Sequence, residues 1–247
     1  MQLKVKGIVI GETPYGETSK ILSLLTDKYG LISVMAKGCK NIKSKLRGVS
    51  NRLNYCEYVI SYKEKGISTL IEGITLNSFK NVFGDMKKSV YCFYLLDIVK
   101  QVCNENNNQQ IFGILEGALI KINDGLSQEL ISNIVEIQLL SFLGVNLNLE
   151  SCVVCGQKND LITIDMTKSG CICKNCYQNE IIFNSKALHL MQILAKINIQ
   201  KLENLEITDY QVFEDIDNFI HEYYSNYTGI YHQKKSKLNN LNFINVG

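Results

Sequence analysis

MQLKVKGIVIGETPYGETSKILSLLTDKYGLISVMA, residues 1–36, alternates apolar and polar side chains in a way that sets the fold of the first third of the chain. Leu3, Val5 and Val9 alternate with Lys4 and Lys6, the period of two that a half-buried strand imposes. GETPYGET (Gly11 to Thr18) places Pro14, the sole proline, between two glycines and reads as a turn. SKILSLLT and LISVMAK follow as strands, separated by Asp27-Lys28-Tyr29-Gly30. Downstream, LNYCEYVISY and ISTLIEGITL make a fourth and a fifth, joined by a hairpin turn at Lys63-Glu64-Lys65-Gly66. On the fourth strand Cys56, Tyr58, Ile60 and Tyr62 share one face. Five short strands in 80 residues suit a small barrel such as an OB-fold.

The longest connection in that barrel runs between strands three and four. It reads KGCKNIKSKLRGVSNR, Lys37 to Arg52. It carries Lys37, Lys40, Lys43, Lys45, Arg47 and Arg52 and no carboxylate, and the chain's two arginines are both in it. A guanidinium grips phosphate through two parallel hydrogen bonds, whereas an ammonium is a point charge. The six cations are therefore candidate contacts to a polyanion; a solvated loop that merely aids solubility is the plainer reading of the same run. The wider charge distribution favours the first. Residues 1–80 hold 13 Lys/Arg against 6 Asp/Glu, whereas residues 81–247 hold 13 against 18. Such asymmetry is expected where one part of a chain meets a polyanion. Single-strand binding also needs aromatic surfaces for bases. Tyr15, Tyr29, Tyr55, Tyr58 and Tyr62 are available, with one or two expected on the binding face and the others in the core.

Composition bounds the rest. A chain of 247 residues with 46% hydrophobic side chains has ample material for a core and is not of disordered composition. No apolar run approaches bilayer length, and the N-terminus lacks the pattern of a signal peptide, so the chain reads as cytosolic, with no membrane partner. After Phe79 the period changes. Tyr91, Leu95, Ile98 and Val102 fall at helical spacing, and NENNNQQ (Asn104 to Gln110) interrupts them. Ile111, Ile114, Leu115, Ala118, Leu119 and Ile122 form a second helix closed by Asn123-Asp124-Gly125. Ile131, Ile134, Val135, Leu139 and Phe142 form a third that ends at Gly144. Asn184 or Ser185 caps a helix using Ala187, Leu190, Met191, Leu194 and Ile197, and a last helix covers Tyr210 to Tyr224. The architecture is α+β and multidomain: a basic barrel over 1–80, helical segments over 81–150 and 181–247, and an insertion over 151–180.

The insertion holds five of the nine cysteines. Cys152 and Cys155 form one CxxC pair and Cys173 and Cys176 another, with 17 residues between them. This is the spacing of a four-thiolate zinc site. Four sulfurs complete the tetrahedron that Zn²⁺ prefers and leave no position for a reacting water, so a metal held there is structural. Cys171 lies outside the spacing and could compete only by rearranging the second pair. A set of reduced free thiols is the alternative. The intervening ITIDMTKSG has one basic residue, which makes the site a clip and not a DNA contact.

Other motifs point away from catalysis. GETPYGET misses the phosphate-loop pattern by one residue, and Glu17 in the lysine position would repel a triphosphate. His189, His221 and His232 are far apart in sequence and read as surface or partly packed residues. Glu214, Asp215 and Asp217 read as a solvated helix face, with a magnesium-dependent nuclease centre as the competing interpretation. A zinc-ribbon docking scaffold, or a transcription-associated binding module, is a third.

Taken together, GIVIGETPYGETSKILSLLTDKYGLISVMAKGCKNIKSKLRG resembles the N-terminal region of the bacterial RecO recombination-mediator family. The matching features are Tyr15-Gly16-Glu17, Thr26, Gly30, Ala36-Lys37-Gly38 and Lys43-Ser44. The helical middle, the cysteine pairs with Ser169-Gly170 before the second, and KSKLNNL (Lys235 to Leu241) extend the likeness over nearly the whole chain. One departure is Cys171, where an apolar residue is expected. The resemblance implies an OB-fold, a helical domain and an inserted zinc site. It further implies a non-catalytic role: binding single- and double-stranded DNA, annealing complementary strands and, with RecR, helping RecA replace single-strand-binding protein. It also implies that the helical domain takes the C-terminal tail of single-strand-binding protein.

Overall fold

The computed structural model describes residues 1–103, 108–205 and 209–240. Strands β1 (Gln2–Tyr15), β2 (Ser19–Thr26), β3 (Gly30–Ala36), β4 (Tyr55–Ser61) and β5 (Ser68–Asn77) close into a barrel in the order β1-β2-β3-β5-β4. Only β3 and β5 pair in parallel, at Val34–Ser68 and Met35–Thr69; the other neighbours are antiparallel. This is the OB-like barrel that the alternation implied. The core is Val5, Val9, Leu22, Leu24, Val34, Ala36, Cys56, Tyr58, Ile60 and Leu70, with Tyr62 packed partly against it.

One expectation was wrong. GETPYGET is not a turn as a whole, because β1 continues through Pro14 to Tyr15 and the turn is confined to Gly16–Thr18. The reason lies in the pairing. β4 accompanies β1 only as far as Ile8, and a register shift between Val9 and Gly11 redirects the strand. From there to Tyr15 β1 has β2 as its one strand neighbour, and a strand edge tolerates the missing proline N–H. The β2–β3 turn is fixed by Thr26, whose hydroxyl donates to the Gly30 carbonyl (2.9 Å) and accepts from the Tyr29 N–H (2.9 Å). Gly30 has a φ of 65°, which disfavours a side chain there.

Helices α1 (Lys80–Phe83), α2 (Met86–Val102) and α3 (Asn108–Asn123) follow. The Asp85 carboxylate accepts from the Lys88 N–H (3.1 Å) and starts α2. Tyr91, Leu95, Ile98 and Val102 are buried, as are Ile111, Leu115, Ala118, Leu119 and Ile122 on α3. Of the polar run Asn104 to Gln110, residues 104–107 lie outside the described residues, and Asn108 already begins α3. Tyr55 sets these helices against the barrel. Its ring packs against Phe79 and Phe112, and its hydroxyl donates to Glu116. Accordingly the compact unit is Met1–Gly125, so the change of pattern near residue 80 is not a break in packing.

The second compact unit, Leu126–Gly247, contains α4 (Gln128–Leu139), the hairpin β6 (Leu161–Asp165) and β7 (Gly170–Cys173), α5 (Ser185–Lys196), α6 (Tyr210–Tyr223) and α7 (Lys235–Asn240). Ser127 caps α4 and Asn184 caps α5. A short 3-10 turn extends α4 to Leu143, before Gly144 at φ 75°. Among the described residues, no helix is long and apolar enough to cross a membrane.

Candidate nucleic-acid interface and metal centre

The basic connection between β3 and β4 is folded. Backbone hydrogen bonds from Asn41 to Gly38, Ser44 to Asn41, Arg47 to Ser44 and Val49 to Leu46 wind it through successive turns. Its start is tied to the β1–β2 turn by Lys40 N–H to the Thr18 carbonyl (2.9 Å) and Gly38 N–H to the Ser19 hydroxyl (3.0 Å). Its end is tied to β1 by Leu53 N–H to the Val9 carbonyl (2.9 Å) and Val9 N–H to the Asn54 carbonyl (3.0 Å). Cys39, Val49 and Leu53 are buried beneath it, and the Tyr58 hydroxyl donates to the Val49 carbonyl from inside the barrel (2.8 Å). These three are anchors that turn the charged residues outward, whereas Ile42, between Lys40 and Lys43, is exposed.

Lys37, Lys40, Lys43, Lys45 and Arg47 are all exposed, and none has an ion pair among the described residues. Arg52 differs from the others. It is half-buried, donates to the Asp97 carboxylate (2.6 Å) and lies over the Phe93 ring at 5.3 Å. Its charge is partly neutralised by α2, so it is not a free cation of the same kind as the other five. Of the tyrosines, Tyr58 and Tyr55 are buried, and Tyr29 and Tyr62 pack on each other with centroids 4.9 Å apart. Tyr15 is 55% exposed and stands opposite Ser19, on the hairpin to which the basic loop is tied.

In the second unit the two CxxC pairs come together. The sulfurs of Cys152, Cys155, Cys173 and Cys176 all lie within 4.8 Å of one another, with Cys155 and Cys173 at 3.7 Å. Four sulfurs about 2.3 Å from one Zn²⁺ at tetrahedral angles would stand about 3.8 Å apart, so the donor set fits that ion. Each pair turns on its own backbone: Gly156 N–H donates to the Cys152 carbonyl (2.8 Å) and Cys176 N–H to the Cys173 carbonyl (3.0 Å). Gly156 has a φ of 77°, as the tight turn requires. Burial pushes the Cys152 thiol up, but backbone hydrogen bonds at Cys173, Cys155 and Val154 bring it down to about 6, favouring the thiolate that ligates metal. Cys171 is not one of the four. It is buried in β7, and burial together with the Cys152 charge pushes its thiol up to about 12. Gly170 is also required: a Cβ there would lie 2.5 Å from Val153 Cγ1 and 2.7 Å from the Asn148 carbonyl oxygen.

Among the acidic and histidine residues, Asp217 and His232 depart from expectation. Glu214 is exposed, Asp215 accepts from Asn184 Nδ2 (2.6 Å), and Asp217 pairs with Lys235 (2.8 Å). Asp217 is thus not part of a solvated face. Among the described residues these three carboxylates form no group able to share a metal. His189 is exposed and His221 partly packed, as expected, but His232 is buried, and the Nδ1 atoms of His221 and His232 are 3.2 Å apart. His232 Nε2 meets Glu136 Oε1 at 3.0 Å, and Lys235 Nζ meets Glu136 Oε2 at 2.5 Å. Burial raises the Glu136 carboxyl, but Lys235 and His232 outweigh it and hold it below its ordinary value. Nothing in the spacing of Glu136, His232 and Lys235 announced this cluster.

Family models described as "Recombination protein O N terminal" and "Recombination protein O C terminal" match residues 1–79 and 84–237. This chain belongs to the RecO family. A DNA repair protein RecO of Bacillus pumilus (strain SAFR-032) is 30% identical over 245 residues, spanning 98% of this chain and 95% of the relative. One from Caldicellulosiruptor bescii is 30% identical over 208 residues, 83% of this chain and 85% of that one. One from Bacillus subtilis (strain 168) is 27% identical over 245 residues, 98% and 95%. The role of the RecO family is DNA repair and recombination. The OB-like barrel, the helical region and the four-cysteine cluster expected of a RecO chain are all present.

Proposed function

We propose that this chain is a non-catalytic recombination mediator that binds single- and double-stranded DNA and anneals complementary strands. In this reading it acts with RecR to help RecA replace single-strand-binding protein, whose C-terminal tail docks on the helical unit. The chain works in the bacterial cytoplasm, at the nucleoid. Zn²⁺ bound by Cys152, Cys155, Cys173 and Cys176 is structural. The observation that carries the proposal is the pre-folded loop with five exposed, unpaired cations, Lys37, Lys40, Lys43, Lys45 and Arg47, on an OB-like barrel. Such a surface holds backbone phosphates without reading sequence. By screening the repulsion between two strands it lets complementary segments approach and pair without nucleotide hydrolysis. Arg52, tied to Asp97, serves as the inner edge of this surface.

Five phosphate contacts imply a log–log salt slope of about −3.5 for single strands, at roughly 0.7 per contact. Reversing Lys43, Lys45 and Arg47 to Glu should flatten that slope and abolish annealing. A strand-annealing assay at two salt concentrations, with and without magnesium, tests the reading. Unchanged binding in the triple variant moves the interface elsewhere, and magnesium-dependent cleavage would make the chain a nuclease.

A further inference from the structure

Just past the last free cation of the loop, Arg47, the chain enters a cleft of about 620 Å³ within the first unit. Its lining includes Asn51, Arg52, Thr75, Ser78, Phe83 and Phe93. Its volume is in the range of small-ligand sites. Its chemistry differs sharply from that of the neighbouring loop. Both charged groups on its wall are already matched, Arg52 by Asp97 at 2.6 Å and Glu12 by Lys20 at 3.0 Å. A phosphate entering here would meet the Glu12 carboxylate on the wall and gain no unpaired cation. A flat, uncharged ring would meet more favourable surfaces. Phe83 is 58% exposed, and the Arg52 guanidinium already lies over Phe93. The Ser78 and Thr75 side chains stand at an exposed rim. An exposed aromatic side chain beside a planar cation forms a surface on which a heterocycle stacks, and the rim hydroxyls are within reach of its polar edge.

We propose that this cleft receives one unpaired nucleobase of a strand whose phosphates lie on the adjacent basic loop. The inference rests on the loop being the DNA interface, and it deepens that reading by making the unpaired base part of the ligand. It supplies a preference for single strands over duplex, because a paired base is already stacked on both faces and cannot enter. It also reassigns Arg52 from a phosphate clamp to a stacking wall.

The test compares an oligothymidylate with an abasic phosphodiester strand of equal length by fluorescence anisotropy, each over a series of salt concentrations. The two strands share their phosphates and differ only in the bases. The unaltered protein should bind the oligothymidylate roughly 5- to 150-fold more tightly, the span of a single base–aromatic stack. Phe83→Ala should remove most of that preference without altering either salt slope, and Ser78→Trp, which plugs the cleft, should do the same. Both positions are solvent-exposed, so folding is preserved. Equal affinity of the unaltered protein for the two strands overturns the inference, as does a preference that survives both substitutions. In those cases salt-dependent binding persists and the loop remains the phosphate contact. Absence of salt-dependent binding to either strand removes the loop reading and the cleft reading together.

Discussion

Replacing Lys235 with Met should destabilise the second unit by about 3–5 kcal/mol, the usual cost of removing one member of a buried ion pair. Lys235 Nζ is 2.5 Å from the Glu136 carboxylate and 2.8 Å from Asp217, and it also donates to Asn133. Its side chain and that of Glu136 are 1% and 0% exposed, so water cannot take over when the ammonium is lost. Met fills a similar volume, which makes the lost charge the main change. Urea unfolding at pH 7 is the assay. The chain has 13 tyrosines and no tryptophan, and Tyr224, whose hydroxyl donates to the Glu136 carbonyl at 2.7 Å, reports from within the cluster. The double variant Glu136→Gln, Lys235→Met should recover part of the loss, since the fully buried carboxylate is then neutral and only the partly exposed Asp217 lacks its partner. The pH dependence has a definite sign. Glu136 is held below its ordinary value, so its contribution is complete above about pH 4.3 and disappears as pH falls through its lower folded-state value. Burial works against the Lys235 ammonium, but Glu136 and Asp217 hold its pKa above the ordinary value. Its contribution is therefore complete below about pH 10.4 and is lost as pH rises through the raised value. Asp217, raised by its burial, has the opposite sign to Glu136 and weakens the gain on leaving acid. A loss under 1 kcal/mol in the single variant, or a double variant as unstable as the two single changes added together, would refute the buried charge pairing.

Two other expectations follow from the geometry. Chelation of Zn²⁺, or Cys173→Ser, should unfold the region around residues 145–180 while DNA binding by the first unit persists; circular dichroism and anisotropy on the same sample separate the two, and loss of DNA binding at equal chelator concentration would contradict the clip role. Tyr58→Phe deletes the hydroxyl that holds the Val49 carbonyl at 2.8 Å and should cost about 1–3 kcal/mol through an unsatisfied buried acceptor. Hydrogen exchange should then rise in residues 37–52 and not in β2, and uniform protection across both would show that the loop does not depend on this bond.

Periodicity exposed those features whose cause is local. Alternation on β4 put Cys56, Tyr58 and Ile60 inside, and the spacing of the cysteine pairs foretold the four-sulfur cluster. Glycine and asparagine marked the ends of α3 and the start of α5. Pro14 misled because a proline is a turn signal unless its strand has a free edge, and edges are a property of the whole sheet. Arg52 was grouped with its neighbours in sequence, whereas Asp97, 45 residues away, determines its surroundings. Glu136 and Lys235 are 99 positions apart, and no spacing rule links them. The cleft draws on β1, the loop, β5, α1 and α2, each contributing one or a few unremarkable side chains. Its aromatic residues, Phe83 and Phe93, lie on α1 and α2, outside the strands whose tyrosines the sequence offers for base contact.

The turns of the basic loop close on main-chain hydrogen bonds, so its shape is settled when the barrel folds and not when a ligand arrives. Ordering a mobile segment on contact would subtract about 1–2 kcal/mol for each residue fixed. A surface spared that penalty keeps the whole energy of each contact, so under the proposed reading a few phosphate contacts suffice to hold a strand.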